Sequence, residues 1–121
     1  MAYPGEAHCY RNNDIEKILA SDAAYVMGEV KKLTRFFSAI KEDPRIGATH
    51  ISLYMALFQF YNLNDFQNPV SIIRYAVMDA AKIRGLATYH KCMRDLVECG
   101  YIQYEPSFNP VVSSKVCLLK I

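Results

Sequence analysis

KIRGLATYHKCMRDLVECGYIQYEP, residues 82–106, decides the fold. Within it Leu86, Tyr89, Met93 and Leu96 recur at spacings of three, four and three with Cys92 beside them, the period of a helix that buries one stripe, here over Leu86–Cys99. Gly100 follows, a residue free to turn left-handed and so the usual device for ending a helix. Beyond it YIQYE (101–105) alternates as a strand, PSFNPVVSS (106–114) is a loop with two prolines, and KVCLLKI (115–121) reads as a second strand. The glycine therefore separates a helix from a β-hairpin that flanks it.

The preceding segments extend the pattern. Arg74–Lys82 reads as a short helix with Val77, Met78 and Ala81 inward, and Ala81 and Gly85, four apart, are small enough for two helices to approach at a tight turn. Asn68-Pro69 and the brief alternation VSI predict a very short strand. THISLYMALFQFYNLN (49–64), with Thr49 as a cap, is apolar all round, which predicts a helix buried on both sides. EDPRIG (42–47) is a connector.

From Asn13 to Lys41 the pattern is helical again, with Asn13 and Glu16 resembling a capping box. Leu19, Ala23, Val26, Val30, Leu33, Phe37 and Ile40 alternate in steps of four and three, a heptad seam. One helix of that span is about 43 Å long, more than a small domain can cover. Leu19, Val26, Val30, Leu33, Phe37 and Ile40 are therefore candidate dimerisation residues, and a homodimer is expected. The competing reading is an amphipathic helix packed only on its own domain. Gly28 costs about 1 kcal/mol against alanine unless another backbone approaches closely, and a break there into two helices is the alternative. The domain reading is thus a flexible tail over 1–13, an N-terminal helix over 14–41 and a second domain over 48–121.

At 121 residues and 52% apolar content the chain is long enough for one domain with a packed core. The longest apolar run, Ile51–Phe58 broken only by Ser52, falls far short of the roughly 20 residues of a membrane span. MAYPGEAHCYRNND has neither the basic start nor the apolar middle of a secretory signal. No membrane association and a cytoplasmic location are expected. Cys92 and Cys99 would lie about 10 Å apart along a helix, too far for a disulfide, and no Cys or His spacing suits zinc. No metal or cofactor is expected.

The net charge of +2 is unevenly placed. Residues 1–48 hold seven basic and seven acidic side chains, whereas Arg74–Arg94 holds Arg74, Lys82, Arg84, Lys91 and Arg94 against Asp79 alone, a balance of +4 over 21 residues. Such a local excess is the footprint of a polyanion site, or otherwise an ordinary solvated helix face. The outward side of helix 86–99 is Ala87, Thr88, His90, Lys91, Arg94 and Asp95, and a helix N-terminus adds free N–H groups that favour phosphate.

The run ATYHKCMRDLVECGYIQYEPSFNPVVSSKV resembles the recognition helix and wing of small bacterial winged helix-turn-helix transcriptional regulators, and the likeness extends back through HISLYMALFQFYN and NPVSI, covering roughly residues 44–120. The resemblance implies a mainly α fold with a small β-hairpin, a winged helix-turn-helix core behind a long N-terminal helix. Its function would be sequence-specific binding of double-stranded DNA in transcription regulation, with helix 86–99 in the major groove and the wing near the phosphates. Arg84 and Thr88 would meet phosphate or a base edge, with Lys91 and Arg94 further along the same face and His90 as a weaker phosphate donor. In the wing, Lys115 with Ser113 and Ser114 would hold the DNA backbone. Tyr101, Tyr104 and Phe108 are expected to pack on the core rather than to stack on bases. Two other classes compete. Neutral Leu86 and Ala87 suit a winged helix that docks on protein, for example in a replication or mobile-element complex. An enzyme is disfavoured, since no nucleophile elbow, phosphate-cradling glycine loop or metal-ligand spacing is present.

Overall fold

The computed structural model describes residues 27–107 and 113–119. Leu19, Val26 and Phe108, the tail and the start of the N-terminal helix lie outside the described residues. The chain divides into two units, Met1–Thr34 and Arg35–Ile121. In the first, the described residues 27–34 are helical, with Lys32 paired to Glu29 at 2.9 Å. The described helix, α1, covers 27–40, so the division falls within it.

The second unit is mainly helical with a small antiparallel sheet. Its order is α2 (Ala48–Leu63), β1 (Val70–Ile72), α3 (Arg74–Ala81), α4 (Leu86–Glu98), β2 (Ile102–Glu105) and β3 (Ser114–Leu118). The strands pair in the order β1-β3-β2, with Val70 opposite Val116 on one side and Ile102 opposite Leu118 on the other. The Asn68 amide extends this sheet by accepting the Leu118 N–H at 3.1 Å and donating to the Leu118 carbonyl at 3.0 Å. The core lies where α2, α3, α4 and the inner face of the sheet meet. Leu53, Leu57, Val77, Tyr89, Met93, Leu96, Ile102 and Val116 are all buried there.

Three helices end in one motif, and only one uses glycine. After α4, Gly100 (φ 83) places the Tyr101 N–H 3.0 Å from the Leu96 carbonyl and its own N–H 3.1 Å from that of Val97. Lys82 (φ 62) closes α3 with Ile83 to Met78 at 2.9 Å and Lys82 to Asp79 at 3.2 Å. Asp65 (φ 54) closes α2 with Phe66 to Tyr61 at 2.9 Å and Asp65 to Asn62 at 3.1 Å. After α3 and α4 the residue following the left-handed one, Ile83 or Tyr101, is buried, the apolar contact that accompanies this C-terminal geometry, whereas Phe66 after α2 is itself left-handed (φ 57) and half-buried, its ring 5.6 Å from that of Tyr61.

Several expectations shift. The α3–α4 turn relies on Lys82, and Gly85 is only the extended residue ahead of α4, with space for a side chain. Among the described residues no backbone approaches Gly28, where an added Cβ would meet nothing within 4 Å. Thr49 does not cap α2; Gly47 stands at that position, and its N–H donates to Nδ1 of His50 at 3.0 Å. Leu86 is 44% exposed rather than inward, because it opens α4 ahead of the first turn that touches the core. Within the second unit, Phe36, which the seam does not include, holds the part of α1 that this unit contains. It is fully buried, stacks on Tyr54 with centroids 3.7 Å apart and meets Tyr101 edge-on at 5.3 Å. Val30 and Phe37 of the seam are exposed, while Leu33 and Ile40 are half-buried.

Candidate nucleic-acid interface

The buried stripe of α4 is Tyr89, Cys92, Met93 and Leu96. At 100° per residue, the direction opposite that stripe is occupied by Ala87, Lys91, Arg94 and Glu98, with Thr88 on one flank and His90 on the other. All six are exposed, as are Lys82 and Arg84 in the turn before α4. Lys91 and Arg94 thus share the outward side of α4, and Lys82 and Arg84 are exposed in the turn that leads into it.

Their electrostatic states differ. Lys91 donates to Oδ2 of Asp95 at 2.8 Å, one helical turn on. That hydrogen bond and the carboxylate charge raise the Lys91 pKa, with Arg94 pushing the other way. The same bond, with one from His50, lowers the Asp95 pKa. Among the described residues Lys82, Arg84 and Arg94 have no carboxylate within ion-pair distance. Asp95 is therefore not a free member of the outward face. It is half-buried and tied at 2.8 Å to Nε2 of His50 in α2.

The first turn of α4 contains no acidic residue, and its N-cap, Gly85, supplies no side-chain hydrogen bond to the first N–H groups. At the start of α3, Arg74 folds over the Tyr75 ring, 4.6 Å from its centroid, and donates to the Tyr75 hydroxyl at 2.8 Å. Ile73 and Tyr75 are both prominently exposed there.

The hairpin residues are split. Ser114 serves the hairpin itself: its hydroxyl accepts the Ser107 N–H at 3.1 Å and lies 3.5 Å from the Tyr104 hydroxyl, so it is not held out toward a ligand. Lys115 is exposed in the central strand and donates to Ser71 of β1 at 3.2 Å, with Glu105 of β2 opposite it. Ser113 is half-buried. Tyr101 is buried, as expected of a packing residue, whereas Tyr104 is half-exposed beside α4.

Between α4 and β2 the surface dips into an open hollow of about 210 Å³, lined by His90, Met93, Arg94, Val97 and Tyr104. Sequence reading missed this hollow and the His50–Asp95 link, because both join residues far apart in the chain. The Lys91–Asp95 pair was legible from its spacing of four. Among the described residues no group of His, Cys, Asp and Glu is placed to hold a metal, and no helix is long and apolar enough to cross a membrane. Cys92 is buried and His90 exposed, so the two form no working pair.

The chain matches no family model, no curated protein and no solved structure.

Proposed function

We propose that the chain is a winged helix-turn-helix protein that binds double-stranded DNA in sequence-specific fashion, with α4 in the major groove and the β2–β3 hairpin as the wing. The observation that carries this reading is the exposed cations Lys82, Arg84, Lys91 and Arg94 on and before α4, set among the described residues against one ion-paired carboxylate, Asp95, which His50 shares, and the exposed Glu98 at the far end of the helix. The element order and the sheet order β1-β3-β2 support it, since they suit the winged helix the sequence resembles. In a bacterial cytoplasm such a protein regulates transcription. As a homodimer joined through the exposed seam residues of α1, it would read half-sites about one helical turn apart. Replacing Arg84, Lys91 and Arg94 together by alanine tests the assignment. Duplex affinity is expected to fall at least about 100-fold at low salt, since each good base or phosphate contact is worth about 1–3 kcal/mol.

A second reading is favoured by one specific feature. Ile73, Tyr75, Leu86 and Val97 are exposed near these cations, which suits a protein-docking face. Parent protein that binds no duplex at low salt, yet captures a protein partner that the triple variant also captures, would select this alternative.

A further inference from the structure

The hollow between α4 and β2 combines an apolar floor with a cationic rim. Met93, Val97 and Tyr104 supply the floor, and His90 and Arg94 stand at the edge. Met93 is itself a core residue, so the floor is fixed by packing rather than by a mobile side chain. Val97 remains 38% exposed, an apolar surface that no described residue covers. Glu98, one turn beyond Arg94, forms no ion pair with it, and among the described residues neither Arg94 nor His90 has a carboxylate partner. The His90 ring is braced edge-on against Tyr89 at 5.4 Å.

We propose that this hollow binds a small organic anion consisting of one ring or branched apolar group and one carboxylate. The apolar group sits on Met93, Val97 and Tyr104, and the carboxylate meets Arg94, with His90 beside it. The floor argues against inorganic phosphate, which would gain nothing from three apolar side chains. The unpaired guanidinium argues against a neutral hydrocarbon, since its planar fork matches a carboxylate. At about 210 Å³ the hollow takes a single ring and no more, so binding is weak. Resting on the proposed DNA-binding role, a second consequence follows: an occupied hollow withdraws Arg94 from phosphate or base, and the ligand lowers duplex affinity.

The experiment is an amide and methyl NMR titration of the full chain with 3-phenylpropanoate, alongside 3-phenylpropan-1-ol and acetate. Shifts centred on residues 90, 93, 94, 97 and 104 are expected for 3-phenylpropanoate, with a Kd on the order of 1 mM, and at least about fivefold weaker binding for the alcohol and for acetate. Arg94→Gln should weaken 3-phenylpropanoate about fivefold while leaving the alcohol unchanged, and Val97→Ser should weaken both. Absence of localised shifts at 20-fold the expected Kd, or equal binding of acetate, overturns the site. Fluorescence anisotropy of a labelled duplex, with and without saturating 3-phenylpropanoate, judges the second consequence. Localised NMR shifts with unchanged duplex affinity overturn the antagonism and leave the site. A protein that binds no duplex even without ligand defeats the DNA reading, and the NMR titration still decides the hollow.

Discussion

His50 and Asp95 meet at 2.8 Å, Nε2 to Oδ2, joining the first turn of α2 to the third turn of α4. Because the Gly47 N–H donates to Nδ1 of the same ring, the imidazole proton sits on Nε2 and is donated to the carboxylate. One neutral side chain thus closes the N-terminus of α2 and sets the rotation of α4, and through Asp95 it also positions Lys91. Replacing His50 by alanine removes both bonds, and a loss of about 1–3 kcal/mol is expected in urea denaturation.

Asp95 also subtracts charge from the cationic band. Asp95→Asn keeps an acceptor for His50 but frees Lys91 and deletes the one carboxylate that, among the described residues, pairs with these cations. Duplex affinity at low salt should therefore rise about two- to tenfold, the gain shrinking as salt is added. Fluorescence anisotropy at two salt concentrations measures it.

The acid limb of stability should trace to two carboxylates. Asp43 is held well below the usual range, first by hydrogen bonds from Arg45, at 2.9 and 3.0 Å, and also by the Tyr101 hydroxyl at 3.0 Å. Asp95 is lowered by Lys91 and then His50. A carboxyl whose pKa is depressed by folding contributes stability above its unfolded value, about 3.9, and loses it as pH falls through the folded value. The double variant Asp43→Asn, Asp95→Asn should accordingly show a flatter stability profile below about pH 4 than the parent. At the alkaline end the sign reverses. Burial pushes Tyr54 and Tyr101 up to about 12, so their contribution is complete below the ordinary tyrosine value, about 10, and disappears as pH rises through 12.

Lys82 occupies a left-handed conformation that costs a side-chain-bearing residue roughly 1 kcal/mol. Lys82→Gly should offset that cost and leave stability unchanged or raised by up to about 1 kcal/mol, while duplex binding weakens through the lost cation. Thermal unfolding and anisotropy on the same variant separate the two effects.

Adjacent phenylalanines in α1 should behave differently. Phe36→Ala empties the space against Tyr54 and Tyr101 and is expected to cost about 3–5 kcal/mol. Phe37→Ala should leave the isolated chain nearly unchanged but weaken self-association, as should Val30→Asp, when followed by light scattering at micromolar concentration. A monomeric parent would remove the dimer.

The helices and hairpin were legible because period and punctuation are local properties. The stripe of α4, the stop at Gly100 and the brief strand VSI each announce themselves within a few residues. Lys82 and Asp65 were not legible as helix stops, since only the tertiary pull on Ile83 and Phe66 makes a left-handed lysine or aspartate worth its strain. Phe36 escaped for a similar reason: a heptad reading favours Phe37, and only the ring of Tyr54, eighteen residues on, selects its neighbour. On the site itself, the spacing of Lys91 and Arg94 was enough to put both on the outward side of α4, with Arg84 exposed in the turn before it. The partners of Ser114, Ser107 and Tyr104, were not legible because they face it only once the hairpin closes.

The salt dependence of duplex affinity tests the central claim most directly. If Lys82, Arg84, Lys91 and Arg94 each neutralise one phosphate, log K should fall against log salt with a slope of about −3.6 per chain, and Arg84→Ala should reduce its magnitude by about 0.9. A slope near zero, or one that Arg84→Ala and Arg94→Ala leave unaltered, would contradict the assignment of this face to nucleic acid.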